Sequence, residues 1–425
     1  MILEFKVENF RSFKEEQILS FEATSDTLAE EYFCVEKPKV KILKMAVIYG
    51  ANASGKSNLL TALDYLRFLI IMPKNDKKLK TDFVPFLLDN SSRQKPGRFE
   101  ITFFINDTKY IYTLKLNNEI IIEETLDYYP TIRLANIFRR FDDNGLAKIE
   151  VGPRMKLKKA DEAVLQGNTL PNMTVVSAFA KSNIIFPELE KVYNYFLNGF
   201  KTIIRSDISL FNWATQYIQE SNIDKKIIID LLSKADFNIV NFEIKEEEIE
   251  FEYEDKPILQ VFKQLFKKKS EELTQGFFKT LTVDFSHSVK NNPSEEVFML
   301  SPDNESDGTL RYFGLATMMM LLIEQNTFLP IDELENSLHP DLFTHFINTF
   351  LMNSKESQLL FTTHNVNFLE FDDLRKDVVW FTEKKEDAST QLFSLEEFDI
   401  RKGLSYSKAY KTGKFGAKPN LSIFK

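Results

Sequence analysis

The chain has 425 residues, with 54 basic and 63 acidic side chains and a formal net charge of -9. Its apolar share of 43% and charged share of 28% exclude disordered and collagen-like proteins. The length predicts two or three structural units with a large core. The negative net charge argues against a surface that binds nucleic acid everywhere. Only 13 residues are glycine, so a short loop that holds several of them needs their backbone freedom.

Cysteine usage and the lack of a long apolar segment indicate the compartment. The single cysteine, Cys34, has no second cysteine for a disulfide or a metal site, which favours a reducing environment. The N-terminus carries charges throughout and does not read as a signal peptide. The longest apolar stretch, Leu315 to Ile323, is roughly half of what a membrane span requires. We therefore expect a soluble, cytoplasmic protein with no membrane contact.

The hydrophobic pattern predicts strands in the first part of the chain. Residues 1–10 alternate as an opening strand, and the uncharged run 45–49 is typical of a buried parallel strand. Residues 99–128 form three strand-like runs, which the turn-forming pairs Asn106-Asp107 and Asn117-Asn118 separate. This part of the chain therefore predicts an antiparallel β-meander.

The rest of the chain predicts helices and then an alternation of strands and helices. Residues 155–275 favour helices, interrupted by an alternating acidic segment over 248–254 that suits a strand with one wet face. From residue 276 onward the strand and helix patterns alternate again. The fold class is therefore expected to be α/β.

A glycine loop follows the apolar run 45–49 and precedes a helical pattern. Gly50 to Ser57 reads GANASGKS, which matches G-x-x-x-x-G-K-[ST]. In such a loop backbone N–H groups and the helix N-terminus bind phosphate charge. Lys56 is expected to reach the β- and γ-phosphates, and the Ser57 hydroxyl to bind Mg²⁺. The residues expected to bind the nucleotide here are Gly50, Ala51, Asn52, Ala53, Ser54, Gly55, Lys56, Ser57 and Asn58.

A second apolar strand ends in two adjacent acids, Asp332 and Glu333. Two neighbouring acids are common on surface loops, but a P-loop ATPase needs a carboxylate for its metal and a group that positions water. Asp332 is therefore expected to bind the metal and Glu333 to orient or deprotonate water. Pro330, just before them, lacks a backbone N–H and predicts that this strand is short or bent.

A third apolar strand, in QLLFTTH, ends near His364. Ligands of open α/β sheets gather at the carboxyl ends of strands, so we expect Lys56, Glu333 and His364 to form one catalytic group. The segment Glu305-Ser306-Asp307-Gly308-Thr309 precedes a helical run. It is either an ordinary helix cap or a second anion-binding helix end.

These motifs, in this order, resemble the ABC-type ATPases of the RecF, Rad50 and SMC head class. The resemblance is closest to small AAA-family ATP-binding proteins of the abortive-infection, RloA type, related to overcoming-lysogenization-defect proteins. It covers nearly the whole chain and rests on the motifs NFRSF (9–13), GANASGKS (50–57), ESDGT (305–309), IDELENSLHP (331–340), TTH (362–364) and GKFGAKP (413–419).

The resemblance implies roles that the residues alone do not supply. Ser306 and Gly308 would belong to the signature motif, which contacts the γ-phosphate of ATP bound to the other subunit. Residues 336–340 would be the D-loop at a dimer interface, His364 the switch histidine, and Arg11 a residue near the nucleotide. The sequence departs from the ABC pattern in ESDGT, which replaces LSGGQ, and in the Q-loop glutamine, for which Gln94 is only the nearest candidate.

The expected organisation is an ABC-type P-loop head in three segments. An N-terminal ATPase lobe (1–154) carries the loop and the meander, a mainly helical insertion follows (155–275), and a C-terminal lobe (276–425) carries the other motifs. The insertion is too short and irregular for the coiled coil of Rad50 or SMC. The 61 residues after His364 lack the acidic cluster of a Toprim nuclease, so a separate effector protein is implied.

The leading hypothesis is an ATP-hydrolysing switch that uses ATP and Mg²⁺, forms a homodimer around ATP, and serves bacterial defence against phage. The alternatives are a RecF-like DNA repair ATPase and a nucleotide-dependent scaffold with little turnover. A transporter ATPase is disfavoured because LSGGQ is missing. Four clusters of basic residues stand out: Lys77, Lys78 and Lys80, residues 154–159, residues 267–269, and seven basic side chains in the last 25 residues. Each is either a solvated face or part of a local DNA-binding groove. The effector and the trigger are not readable from the sequence.

Overall fold

The computed structural model of the protein describes residues 1–221, 223–235, 237–252, 275–291, 294–371, 373–399 and 405–418. The chain divides into two compact units. The first comprises Met1–Ile208, Leu321–Asn336 and Phe343–Lys425, and the second comprises Ser209–Met320 and Ser337–Leu342. Residues 155–208 therefore belong to the first unit and residues 276–320 to the second. The division into three segments, 1–154, 155–275 and 276–425, remains a prediction.

The strands, in chain order, are β1 (Ile2–Glu8), β2 (Gln17–Ser20), β3 (Cys34–Lys37), β4 (Val40–Leu43), β5 (Met45–Gly50), β6 (Gly97–Ile105), β7 (Thr108–Leu116), β8 (Ile121–Tyr129), β9 (Ala135–Asp143), β10 (Leu146–Val151), β11 (Ile239–Glu252), β12 (Gln275–Asn291), β13 (Ser294–Leu300), β14 (Phe328–Ile331), β15 (Gln358–Thr362), β16 (Val379–Lys384) and β17 (Thr390–Ser394). The α-helices are α1 (Glu30–Phe33), α2 (Lys56–Ile71), α3 (Lys159–Asn168), α4 (Val175–Ala180), α5 (Pro187–Asn194), α6 (Leu210–Ser221), α7 (Lys226–Lys234), α8 (Asp307–Glu324), α9 (Pro340–Asn353) and α10 (Tyr406–Lys411). The mixture confirms the α/β fold class, and the expected helical segment contains α3 to α7 before β11 begins.

A seven-stranded antiparallel sheet in the first unit contains the predicted meander. Its order is β10-β9-β8-β7-β6-β1-β2. The predicted turns are present: Asn106 has a positive φ of 52°, and the Asn117 side-chain oxygen accepts the N–H groups of Glu119 and Ile120 at 2.9 Å. The opening strand is also confirmed, as β1 pairs with β6. The meander is therefore the centre of a larger sheet rather than a separate hairpin.

The five-stranded sheet of the first unit has the order β14-β15-β5-β16-β17. The strands β14, β15, β5 and β16 run parallel, and β17 runs antiparallel to β16. Every residue of β5 is buried, because a central parallel strand has both faces covered. The carboxyl ends of four strands consequently meet at one sheet edge, and three of these strands, β5, β14 and β15, are those that the sequence pattern predicted to meet there.

Pro330 is compatible with β14 because this strand has only four residues and lies at the end of the sheet order. On its outer side it meets only isolated parallel bridges, Phe200 with Phe328 and Ile204 with Ile331. The carbonyl of Pro330 accepts the N–H of Ile204 at 3.0 Å. A short strand with an irregular neighbour tolerates the missing donor of proline, which confirms the expected shortness.

The second unit has a three-stranded antiparallel sheet, β11-β12-β13, together with α6, α7 and most of α8. Aromatic rings form its core: Phe313 contacts Phe211, Phe242 and Phe285 at centroid distances of 5.8, 5.1 and 5.4 Å. Side chains of the predicted acidic strand 248–254 lie outside the described residues. The apolar stretch that begins at Leu315 lies in α8 and is buried up to Leu322. Within the described ranges no helix is long and apolar enough to cross a membrane.

Candidate functional site

The glycine loop lies between β5 and α2, and both of its glycines are required by space and by backbone angle. Gly50 has φ 156°, and a Cβ there would lie 2.5 Å from the carbonyl oxygen of Thr382. Gly55 has φ 109°, and a Cβ there would overlap the side chain of Thr390. L-residues rarely adopt such angles. The tight turn expected from the motif is therefore present in the backbone.

Three hydroxyl side chains from distant parts of the sequence support this loop. The Ser54 and Thr382 hydroxyls lie 2.6 Å apart, and the Thr390 hydroxyl donates to the Ser54 carbonyl at 2.8 Å. The Ser12 hydroxyl lies 2.8 Å from that of Thr390 and accepts from the Asn58 amide at 2.8 Å. Sequence reasoning missed Ser12, Thr382 and Thr390 as supporting residues. Only Ser12 had a local signal, because it belongs to the NFRSF motif.

Lys56 begins α2 and its ammonium is folded back into the loop. It is 6% exposed and donates to the carbonyl oxygens of Gly50 at 2.9 Å and Ala51 at 3.1 Å. Burial lowers the pKa of Lys56, and the negative charges of Asp332, Glu333 and Glu335 oppose that shift. In the described part of the chain these two carbonyls are the hydrogen-bond acceptors of the Lys56 ammonium, which is therefore suited to exchange them for phosphate oxygens, which carry full charge.

The acids Asp332 and Glu333 follow β14 and are organised by Thr362 at the end of β15. The Thr362 hydroxyl donates to Asp332 Oδ1 at 2.6 Å and accepts the backbone N–H of Glu333 at 2.8 Å. Glu333 adopts a positive φ of 51°, which is uncommon for a residue with a side chain. Asp332 is 8% exposed. One hydroxyl therefore orients the metal-site candidate and the backbone of its neighbour.

His364 follows β15 and lies at the same sheet edge as Lys56 and Glu333. Its side chain is exposed, and its backbone N–H donates to Glu335 Oε1 at 2.5 Å. The preceding Thr363 donates its N–H to Ile48 in β5 at 3.1 Å, which fixes the chain beside the loop. The three predicted catalytic residues thus follow three adjacent parallel strands: Glu333 and His364 lie in the turns after β14 and β15, and Lys56 begins the helix that leaves the loop after β5.

The residues present fit a phosphate group and a magnesium ion. The N-cap position of α2, Gly55, makes no side-chain cap, and the Asn58 N–H already donates to the Gly55 carbonyl at 3.0 Å. Within the described residues the N–H groups of Lys56 and Ser57 therefore remain available for an anion. The Ser57 side chain is exposed. Within the described ranges its hydroxyl makes no hydrogen bond, and neither does Asp332 Oδ2. No cluster of three metal-binding side chains occurs in the described residues, so phosphate oxygens and water would complete an octahedral shell.

A cavity of about 680 Å³ opens beside the loop. Its walls include Gly50, Asn52, His364, Lys384 and Lys418. The tail motif that includes Lys418 is therefore part of the surroundings of the loop. Pro419 and the residues that follow it lie outside the described residues.

Gly416 has φ 65°, and the N–H of Ala417 donates to Glu383 Oε1 at 3.0 Å. Within the tail, the Tyr410 hydroxyl donates to the Ala417 carbonyl at 3.2 Å. These contacts hold the described tail against β16.

The predicted signature residues belong to the second unit. Ser306 caps α8, since its hydroxyl accepts the N–H of Thr309 at 3.0 Å. A Cβ at Gly308 would lie 3.2 Å from the Ser337 carbonyl, so only a small residue fits comfortably between the two motifs. The helix-cap interpretation of Ser306 is thus correct. An N-cap satisfies only part of the first-turn N–H groups, so anion binding at this helix start stays a prediction.

Arg11 and Gln94 lie in the first unit. Arg11 has φ 52°, donates its backbone N–H to Val84 at 2.9 Å, and is exposed. Gln94 lies in the short turn Ser92–Gln94 and lines a different cavity, together with Phe83. Gln94 is therefore not among the residues that line the cavity beside the glycine loop.

A comparison with solved structures finds SMC head domains at low similarity. The SMC head domain from Thermotoga maritima is 14% identical, with 94% of this chain and 99% of that chain covered and a TM-score of 0.40. The Smc head domain with an extended coiled coil, bound to the C-terminal domain of ScpA and derived from Pyrococcus furiosus, is 12% identical, with 98% and 99% covered and a TM-score of 0.38. TM-scores this low carry no argument about fold or function. No protein of curated function matches this chain significantly.

A family match covers more than half of the chain. The family described as "AAA domain, putative AbiEii toxin, Type IV TA system" matches residues 45–150 and 248–370. The matched stretches include the glycine loop, the 305–309 segment, the Asp332-Glu333 pair and His364. The match confirms the resemblance to AAA-family ATP-binding proteins of the abortive-infection type. The chain therefore belongs to this family of AAA-type P-loop ATPase domains.

Proposed function

We propose that this protein binds and hydrolyses ATP and acts as a molecular switch that forms a dimer around the nucleotide. The observation that carries the proposal is the meeting of Lys56, the Asp332-Glu333 pair and His364 at the carboxyl ends of adjacent parallel strands. The negative charges of both acids oppose the lowering of the Lys56 pKa by burial, which supports placing these three groups in one site.

In this proposal, residues Gly50 to Asn58 hold the phosphates, and Lys56 neutralises charge on the β- and γ-phosphates. Ser57 and Asp332 would hold Mg²⁺, which supplies positive charge at the transferring phosphoryl group. Glu333 orients or deprotonates water, and Thr362 keeps Asp332 and the Glu333 backbone in position. His364 contacts the terminal phosphate from the neighbouring strand.

The proposed dimer would use the predicted signature residues. Ser306 and Gly308 would contact the γ-phosphate of ATP bound to the partner subunit, with residues 336–340 at the interface. ATP binding would then close the dimer and hydrolysis would open it, which shifts the population between two states. The family description, which names a putative AbiEii toxin of a type IV toxin–antitoxin system, supports a role in abortive infection. A separate effector protein is a further part of this proposal.

The test compares Glu333→Gln with the wild type. We expect ATP hydrolysis to fall by about 100-fold or more, since a positioned general base contributes on the order of 10² to 10⁴ in rate. ATP binding should persist, and the variant should accumulate as a dimer with ATP in size-exclusion chromatography coupled to light scattering. The matched control is Glu324→Gln, the same change on an exposed residue at the end of α8, which should keep wild-type turnover.

Full turnover in Glu333→Gln, or a failure of ATP to favour the dimer, would show that the mechanism is wrong. The effector is tested separately by co-purification with the product of the neighbouring gene, with and without ATP. Hydrolysis that duplex DNA stimulates, with a steep salt dependence, would instead favour the RecF-like alternative.

A further inference from the structure

The segment from Phe200 to Asp207 brings an unassigned arginine to the edge of the candidate site. The segment runs along the outer side of β14, where Lys201 donates its N–H to Phe328 at 2.9 Å. At the other end the Asp332 N–H donates to the Ile204 carbonyl at 2.8 Å. Arg205 is the next residue, so its backbone lies beside the aspartate expected to bind the metal.

The same segment is fixed to α2, the helix that begins with Lys56. Asp64 in α2 accepts the Thr202 hydroxyl at 2.8 Å and the Ile203 N–H at 3.2 Å. Arg67 in α2 donates to the Phe200 carbonyl at 2.5 Å. Bonds to both the strand and the helix hold the segment, so Arg205 leaves a rigid backbone rather than a free loop.

Arg205 interacts electrostatically with a second arginine, Arg11. Partial burial lowers the pKa of Arg11, and the positive charge of Arg205 lowers it further. Both side chains are exposed, and neither forms an ion pair with a carboxylate of the described chain. Ser12, the neighbour of Arg11, contacts Asn58 in the first turn of α2. Two like charges near each other raise the free energy of the protein unless an anion is bound between them.

We propose that Arg205 is a further nucleotide-binding residue, which together with Arg11 binds the terminal phosphate group of ATP. This inference rests on the proposed function and extends it to a residue that neither a motif nor the family match assigns. A guanidinium binds phosphate oxygens in a bidentate manner and cannot lose its charge near neutral pH. We propose a nucleotide rather than a nucleic acid as the ligand. The reason is that Arg205 directly follows Ile204, which bonds to Asp332, and that its segment is bonded to the helix that begins with Lys56.

The experiment measures binding, which keeps it independent of turnover. Isothermal titration calorimetry with ADP and with the non-hydrolysable ATP analogue AMP-PNP is applied to wild type, Arg205→Ala and Arg205→Lys. We expect Arg205→Ala to weaken AMP-PNP binding by about 10-fold or more and ADP binding by less than about 2-fold, since a charge-assisted bond to one phosphate is lost. The AMP-PNP affinity of Arg205→Lys should lie between those of the wild type and Arg205→Ala, because lysine keeps the positive charge but lacks the forked donors of the guanidinium group.

The matched control is Lys201→Ala, which removes a positive charge from the same segment at the far end of β14. Lys201 donates to Gln325 at 3.4 Å, away from the acids, so its removal should change neither affinity by more than about 2-fold. If circular dichroism shows that Arg205→Ala does not fold, the ratio of AMP-PNP to ADP affinity in Arg205→Lys tests the proposal instead.

An equal loss of ADP and AMP-PNP affinity, or no loss of either, would overturn the proposal. An unchanged ratio together with lost binding of a short DNA duplex would overturn it in favour of a nucleic-acid contact. A wild-type chain that binds neither nucleotide would refute the proposed function itself, and this inference with it. If the wild type binds both ADP and AMP-PNP, and Arg205→Ala has the same ratio of the two affinities, the inference alone is refuted.

Discussion

Two neighbouring threonines offer a direct test of how the acids are organised. Thr362 and Thr363 are both fully buried, but their hydroxyls differ in what they contact. The Thr362 hydroxyl bonds to the Asp332 carboxylate and to the Glu333 N–H. Among the described residues, the one hydrogen bond of the Thr363 hydroxyl is that accepted from the Asn365 N–H at 3.0 Å. Valine has nearly the same shape as threonine, so Thr362→Val and Thr363→Val remove hydrogen bonds without opening a cavity.

The expected stability losses follow from these bonds. A hydrogen bond to a charged group contributes roughly 1.5 to 3 kcal/mol and a neutral one roughly 1 kcal/mol. Thr362→Val should therefore lower the free energy of unfolding by about 3 kcal/mol and Thr363→Val by about 1 kcal/mol. Urea unfolding at neutral pH, followed by circular dichroism, measures both values.

The two variants should also differ in function. Without the Thr362 hydroxyl the Asp332 carboxylate is free to rotate, so Thr362→Val should require a higher Mg²⁺ concentration for half-maximal ATP hydrolysis. Thr363→Val should keep the wild-type Mg²⁺ dependence. Equal losses of stability in both variants, or an unchanged Mg²⁺ requirement in Thr362→Val, would refute the reasoning.

Three further predictions concern single side chains. Gly55→Ala should abolish ATP binding because φ 109° and the contact with β17 exclude a Cβ, while Gly167→Ala, with no atom within 4 Å, should leave binding unchanged; titration with a fluorescent nucleotide measures both. Burial raises the pKa of Glu124 from 4.5 to about 7, so its contribution to stability is complete below about pH 4.5 and is lost as the pH rises through 7. The loss should be roughly 3 kcal/mol in urea unfolding, and Glu124→Gln should remove this pH dependence; an unchanged profile would contradict it. Gly416→Ala should destabilise the folded tail by about 1 to 2 kcal/mol, because φ is 65° and the new Cβ would lie 2.9 Å from Glu383 Oε1. Limited proteolysis should then cleave the tail of the variant faster than that of the wild type, and an equal rate of cleavage would contradict the prediction.

Much of the fold and of the candidate site was predictable from local sequence. The glycine loop is contiguous, so its residues 50–58 carry their own geometry, and the alternating runs of the meander define its strands and turns. The acids after β14 and His364 after β15 were predictable as members of one site, since the carboxyl ends of parallel strands meet at one edge. The shortness of β14 was readable from Pro330, because proline cannot donate within a sheet.

The tertiary structure alone decided which distant residues complete that edge. Thr382 and Thr390 support the loop only because β16 pairs with β5 and β17 with β16, across more than 300 residues of sequence. Arg205 has no motif around it, and its position follows from bridges between its segment and β14. Local sequence encodes a turn or a helix start through the torsional preferences of a few residues. Which strand lies beside which depends on the packing of the whole core, and so no local pattern contains it.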